Sequence, residues 1–259
     1  DTYWQRFGIA PDAVKFLYIG RVAIEKNLQL LAQAYRTLRE SREDAHVIVI
    51  GHGPYRAALQ GLPQGLPAKF SKTENVLWRL PLPGPAGSTP VVWGDRIFLT
   101  TANGQEIDLI AVGTDGKKLW ETALASHNES VRGDEGNFAS PSPATDGKHV
   151  WAMAGTGDIA CYTVEGKEVW KFNLQDRVGK FNIAFGMTST PVLDGDKLYV
   201  QLLFTGGRHV LALDAATGKT LWQVERKSDA RDECEHSYAS PTLYRDGERE
   251  YLLTHGGDY

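Results

Sequence analysis

Cysteine is scarce in this chain: Cys161 and Cys234 are the only two among 259 residues. Two thiols cannot build a disulfide framework or a four-cysteine zinc site. Long apolar runs are missing too, and none approaches the roughly 20 residues that cross a bilayer as a helix, so no membrane span is expected. There is no excess of one charge: the net value of −4 gives no reason to expect nucleic acid or an anionic membrane as partner. With no initiator Met and no charged, apolar leader, the chain reads as an internal stretch of a longer gene. Also absent are a Gly-x-Ser-x-Gly elbow, a His-Glu-x-x-His pair, a Gly-Lys-Ser phosphate loop and an Asp series of EF-hand spacing. Those absences remove the commonest hydrolase, metalloprotease, phosphate-loop and calcium-loop chemistries.

What the chain does have is turn punctuation at a fixed interval. From Ser140 to Trp170 it gives Ser140-Pro141-Ser142-Pro143, a turn at Asp146-Gly147 and an apolar run through Val150, Trp151, Ala152 and Met153. A break at Gly155-Thr156-Gly157, a second run Ile159-Ala160-Cys161-Tyr162, a turn at Glu165-Gly166 and a closing Val169-Trp170 complete the unit. Short β-type runs separated by turn residues predict an antiparallel meander. The plan recurs on both sides, and Pro90, Pro141, Pro191 and Pro241 stand 51, 50 and 50 residues apart. Trp120, Trp170 and Trp222 close successive units, and Trp78 stands where an earlier unit would close.

A period near 50 with four strands per unit is the signature of propeller blades, stacked face to face with the closing Trp filling each seam. The expected fold is therefore mainly β: an incomplete propeller of about 3.5 four-stranded blades, preceded by a strand carrying Trp78. Cys161 falls where the neighbouring units carry Ala111 and Ala212, and is expected to be a small buried residue. Cys234 lies in the polar loop Asp232-Glu233-Cys234-Glu235-His236, where one thiol, one His and carboxylates leave the question of a metal open.

The first 62 or so residues follow another plan. Lys15 to Gly20 and His46 to Gly51 are short apolar runs ending in Gly, the pattern of buried parallel strands. Between them apolar residues recur as Leu28, Leu30, Leu31, Ala34, Tyr35 and Leu38, with charges on the other side, which predicts an amphipathic helix, and Tyr55 opens another. Strand, helix, strand, helix is a small Rossmann-like βαβα fragment. The expected division is 1–62 for this fragment, 63–67 for a Gly-Leu-Pro linker and 68–259 for the propeller.

Ile19-Gly20-Arg21-Val22-Ala23-Ile24-Glu25-Lys26-Asn27, with Val49-Ile50-Gly51-His52-Gly53-Pro54, resembles the nucleotide-sugar-binding domain of retaining glycosyltransferases with two Rossmann domains, the family 4 type. The resemblance implies that Gly20, Arg21 and Lys26 meet the diphosphate of a nucleotide-sugar, and bidentate Arg with a Lys point charge suits that group. The acceptor domain and the glutamate-containing helices of that family have no counterpart here, so the fragment is not expected to transfer sugar. From about Gly65 the chain resembles PQQ-like β-propeller repeat proteins of planctomycete type. That likeness is carried by Gly65-Leu66-Pro67 with Glu74-Asn75-Val76-Leu77-Trp78, Ser88-Thr89-Pro90-Val91-Val92-Trp93-Gly94-Asp95, Arg132-Gly133-Asp134-Glu135-Gly136-Asn137, Gly186-Met187-Thr188-Ser189-Thr190-Pro191 and Asp229-Ala230-Arg231. Quinoprotein dehydrogenases share the blade motif but pair their quinone with calcium and often with adjacent cysteines, so PQQ itself is not expected.

The inter-blade crossovers are long and polar, and all are expected on one face of the disc. Arg132, Asp134 and Glu135, then Lys180 and Asn182, then Glu235 and His236 make the candidate ligand set, with Phe181 and Tyr238 beside them. The resulting reading is a binding or scaffold module for a protein or small polar ligand, able to self-associate through unclosed blades and without a firm cofactor. Two alternatives stand beside it: a glycosyltransferase with an appended propeller, and a fusion of two genes with no joint function. The propeller resemblance implies export to the periplasm and the transferase resemblance the cytoplasm, so the compartment stays open.

Overall fold

The computed structural model describes residues 9–10, 14–19, 35, 38, 40, 44–50, 76–131, 136–246 and 249–257. The chain forms two compact units, Asp1–Leu77 and Trp78–Tyr259. In the first, β1 (Val14–Ile19) and β2 (Ala45–Ile50) pair in parallel, from Val14 opposite Ala45 to Ile19 opposite Ile50. Parallel neighbours need a crossover between them, and the intervening Tyr35, Leu38 and Glu40 are helical, with Tyr35 buried. Gly20, Arg21, Lys26 and the second helix start lie outside the described residues.

The second unit is built of antiparallel meanders. The first sheet runs β3 (Val91–Trp93), β4 (Arg96–Asn103), β5 (Glu106–Gly113) and β6 (Lys118–Ser126). A short ladder, β7 (Ser130–Val131) with β8 (Gly136–Asn137), lies in the following crossover. The second sheet is β9 (Ala144–Thr145), β10 (His149–Met153), β11 (Asp158–Thr163) and β12 (Glu168–Asn173). The third is β13 (Val192–Asp194), β14 (Lys197–Phe204), β15 (Gly207–Asp214) and β16 (Thr220–Glu225), and β17 (Thr242–Asp246) with β18 (Arg249–Leu253) begins a fourth. This is the expected arc of three blades and half of another.

Strand alternation assigns each residue to one seam or the next. From β10 and β11, Val150, Ala152, Ala160 and Tyr162 pack with Phe98, Ile107, Leu109 and Ala111 of the first blade. Their sequence neighbours Trp151, Met153, Ile159 and Cys161 pack with Leu198, Val200, Leu202, Leu211 and Leu213 of the third. Both faces of the middle blade are thus buried, which is why its two central strands are apolar at every position from Val150 to Met153 and from Ile159 to Tyr162.

The closing tryptophans dock as the repeat predicts. Trp120 donates Nε1–H to Val164 O at 2.9 Å, and Trp170 donates to Ala215 O at 3.0 Å, each reaching the following blade. Beneath the two rings lie Gly166 (φ +90°) and Gly218 (φ +68°), where an added Cβ would come within 2.9 Å of the indole. Glycine is needed there twice over, for the left-handed turn and for the close approach. Trp222 is 37% exposed and packs on Tyr199 of its own blade, ring centroids 6.0 Å apart.

Cross-strand pairing sets Ala111 opposite Trp120, Cys161 opposite Trp170 and Ala212 opposite Trp222. On their other side these residues face Phe98, Trp151 and Tyr199. Cys161 therefore fills the small-residue position between two aromatics that the alignment with Ala111 and Ala212 gave it.

Two expectations need correction. In the second blade the strand-heading proline is Pro143 and not Pro141: β9 begins after Pro143 as β3, β13 and β17 begin after Pro90, Pro191 and Pro241. The reason is an inter-blade bond. Thr89 N donates to Ser142 Oγ (2.8 Å), Ser142 N to Thr190 Oγ1 (3.0 Å) and Thr190 N to Ser240 Oγ (2.9 Å), so the hydroxyl before Pro143 carries the relay. Ser140 is used locally instead, donating to Asn137 O. Because β9 lies against both β3 and β13, these first strands stand together at the hub.

The second correction concerns Trp78, whose segment is not a strand. Pro81 and Pro83 lack the amide hydrogen a ladder needs, and no strand lies beside it among the described residues. Trp78 nonetheless docks like its counterparts, with Nε1 donating to Thr114 O at 2.8 Å and its ring over Gly116. Leu80 and Leu82 then cover Leu99, Ile110 and Val112 of the first blade.

Candidate functional site

The two ends of each sheet are built differently. In the first blade Asn103 pairs with Glu106 and Glu106 with Ser126, so the β4–β5 turn and the exit of β6 share one end. Every crossover leaves from that end by the same topology. Among the described residues, the strands of the three complete blades are joined at the opposite end by tight within-blade turns such as Gly94-Asp95 and Asp115-Gly116, where the Trp78 segment also docks.

Each crossover is tied down to a hairpin turn. In the first, Asn128 N donates to Gln105 O at 2.9 Å and Asn128 Nδ2 to Gly104 O at 3.2 Å. Asn128 Oδ1 accepts Phe138 N at 3.2 Å, so this one side chain pins both limbs of the crossover. His127 before it takes φ 64°, a left-handed bend. Arg132, Asp134 and Glu135 lie outside the described residues.

In the second crossover a single helical turn, α1 (Gln175–Val178), follows β12. Gln175 Nε2 donates to Thr156 O at 2.8 Å, and Gln175 Oε1 accepts Phe181 N at 2.9 Å. Phe181 packs on Phe204 at 5.2 Å between centroids, and Thr205 N donates to Asn182 O at 3.0 Å. Lys180 is exposed, as is the Asn182 side chain.

The third crossover contains a 3-10 turn, Asp232–Glu235, entered through Asp232 at φ 55°. Glu235 Oε1 is 3.9 Å from Arg208 Nη2, and both side chains are largely covered. His236 Nε2 lies 2.9 Å from Thr205 Oγ1, and its Nδ1 is 3.4 Å from the Tyr238 hydroxyl. Tyr238 packs on Phe185, 5.8 Å between centroids. Cys234 is exposed on the same turn.

Of the expected set, then, Asn182 and His236 meet on one residue, Thr205 of the β14–β15 turn, one through its carbonyl and the other through its ring. Glu235 is engaged by Arg208 beside them. Thr205, Arg208 and Phe185 were not singled out from the sequence. The Gly206-Gly207 step marks the turn that carries Thr205, but nothing local says which crossovers come to rest on it.

The titrating groups of this unit divide cleanly. Asp108, 3% exposed on β5, has its carboxyl pushed above the usual range by burial, with Glu121 and Glu106 adding to the shift and an Asn103 hydrogen bond (Nδ2 to Oδ2, 2.8 Å) opposing it. Burial pushes the Cys161 thiol up to about 12, which keeps it protonated and unreactive. Among the described residues no group of three or more His, Cys, Asp or Glu could hold a metal ion. Cys161 is sealed in a seam, whereas Cys234 is exposed on the third crossover. No helix among the described residues is long and apolar enough to cross a membrane.

Comparison with known proteins divides the chain where its two plans meet. Residues 68–137 and 106–258 match the family described as outer membrane protein assembly factor BamB, and residues 2–69 match glycosyl transferases group 1. A polyvinylalcohol dehydrogenase of a Pseudomonas species is 28% identical over 191 residues, covering 67% of this chain and 28% of its own length. Sulfoquinovosyl transferase SQD2 of Arabidopsis thaliana is 36% identical over 63 residues, 24% of this chain and 12% of its own. The crystal structure of BamB from Moraxella catarrhalis matches with a TM-score of 0.36 at 21% identity, over 56% of this chain and 54% of that one. The chain thus spans less than a third of either curated relative.

Proposed function

The chain belongs to the family described as outer membrane protein assembly factor BamB, and from that membership we propose that its propeller is a binding and scaffold module meeting a protein partner on the crossover face. The carrying observation is the asymmetry of the two ends. Among the described residues, one end joins its strands by tight turns. The other has three long crossovers, each fastened to a hairpin by Asn128, Gln175 or His236. Ordering such loops costs conformational entropy, and preorganised loops on a rigid scaffold are where recognition is usually placed. The family description fits a protein partner and an exported chain better than a metabolite and the cytoplasm. The exposed Lys180 and Asn182 and the part-exposed His236 supply polar contacts, with Phe185 and Tyr238 as the apolar element.

A photo-crosslinking residue introduced singly at Lys180, Asn182, Asp115 and Lys117 tests this. In cell-envelope extract, one discrete adduct is expected at Lys180 and Asn182, with none at the two opposite-end positions. Equal labelling of both ends, or labelling of Asp115 and Lys117 alone, would sink the proposal.

The match of residues 2–69 favours a second reading, in which a nucleotide-sugar diphosphate is held at Gly20, Arg21 and Lys26 and the propeller serves an appended role. It is tested separately by the titration given in the Discussion.

A further inference from the structure

Asn103-Gly104 is the single Asn-Gly step in the chain, and it stands at the exposed β4–β5 turn. We propose that Asn103 is a site of spontaneous deamidation, and that the product loosens the first crossover from the propeller face. The chemistry needs only water. The deprotonated Gly104 amide nitrogen attacks Asn103 Cγ, a C–N bond forms, and Nδ2 leaves as ammonia. The five-membered imide then takes up water across one of its two ring C–N bonds, giving aspartate or, by the other bond, isoaspartate. The ring nitrogen recovers a proton and returns to being an amide; no oxidant or reductant is involved.

Local structure favours this position over the others. Gly104 lies in the turn beyond the last paired residues, Asn103 and Glu106, so the ladder does not hold it. It has φ +60°, and nothing lies within 4 Å of the place a Cβ would occupy, so the attacking nitrogen has room. Every other asparagine is followed by Leu, Val, Glu, Phe or Ile, whose side chains crowd the same nitrogen.

The consequence follows from what Asn103 touches. Its Nδ2 donates to Oδ2 of Asp108, a carboxylate only 3% exposed. Deamidation replaces that donor by a second carboxylate, which takes the Asn103 hydrogen bond from Asp108 and sets like charge against it. Isoaspartate also adds a methylene to the main chain beside Gly104 and Gln105, whose carbonyls hold Asn128. The first crossover loses its anchor in the same event.

The whole protein is aged at mildly alkaline pH and mapped by trypsin, which places Asn103 alone among asparagines in the peptide 97–117. Deamidation is expected to accumulate there several-fold faster than at Asn128, Asn137, Asn173 or Asn182; a rate no higher than theirs overturns the site. Asn103→Asp, as mimic of the product, is expected to lower Tm at neutral pH, and Asp108→Asn to raise Tm by more in that background than in the parent protein. An equal gain in the two backgrounds overturns the stated consequence. Should the mimic fail to fold, proteolysis of aged protein reads the same point, with new cleavage expected within 127–142, and unchanged cleavage there counts against it.

Discussion

Trp151 and Trp170 donate their indole N–H groups to one carbonyl, Ala215 O, at 2.8 and 3.0 Å. One indole comes from the second strand of the middle blade and the other from its fourth, so the turn of the next blade is gripped from two depths. A carbonyl has two lone pairs and can accept both.

Trp170→Phe should cost about 1 kcal/mol through the lost hydrogen bond, and Trp170→Ala about 3–5 kcal/mol through the lost packing as well. Trp222→Ala should cost clearly less, because that ring is 37% exposed. Urea melts of the three variants decide it, and equal losses at Trp170 and Trp222 would contradict the docking account.

Thiol labelling should separate the two cysteines. Cys234, exposed, reacts with iodoacetamide in the native protein. Cys161, with its thiol pushed up to about 12 by burial, reacts only after denaturation. Mass spectrometry of native and unfolded samples gives one and two adducts if this holds, whereas native labelling of Cys161 would mean that the seam opens.

Asp108→Asn should raise Tm at neutral pH. Burial holds the folded pKa of Asp108 above its unfolded value. The folded state therefore binds the proton more tightly, and this group's stabilising share is present at low pH and is lost as pH rises through the folded pKa. Asparagine keeps an acceptor for Asn103 and carries no charge. Tm measured against pH should be flatter for the variant on its alkaline side, and a parallel profile would count against the assignment.

Titration with a nucleoside diphosphate should show no binding tighter than about 1 mM. Gly20, Arg21 and Lys26 are the diphosphate contacts implied by resemblance, and no ribose or sugar grip accompanies them in the sequence. Micromolar affinity abolished by Arg21→Ala would instead revive the transferase reading.

The blade plan was legible because its markers are physical requirements and not mere habits. A left-handed turn needs Gly at 166 and 218, and the indole above it leaves no room for anything larger. Cys161 could be placed from Ala111 and Ala212 because all three lie under an aromatic on each side. Pro141 and Pro143 both follow a serine, and what distinguishes the strand-heading one is the bonding of Ser142 to Thr89 and Thr190, about 50 residues away on either side. The candidate site was legible only as a set of crossovers. That His236 would rest on Thr205 depends on how a crossover and a hairpin turn 31 residues apart fold onto each other, which no local pattern encodes.

The hydroxyl relay at the hub gives the arc a mechanical grain. Thr89, Ser142, Thr190 and Ser240 are linked in one direction, each amide to the next hydroxyl, so a pull along the hub loads these bonds in series. A series of like fasteners parts at its weakest member first, and blades that contact only their neighbours then let go one by one. Stretched from its ends, the propeller should yield a force trace of repeated, nearly equal steps, each freeing one repeat of about 50 residues.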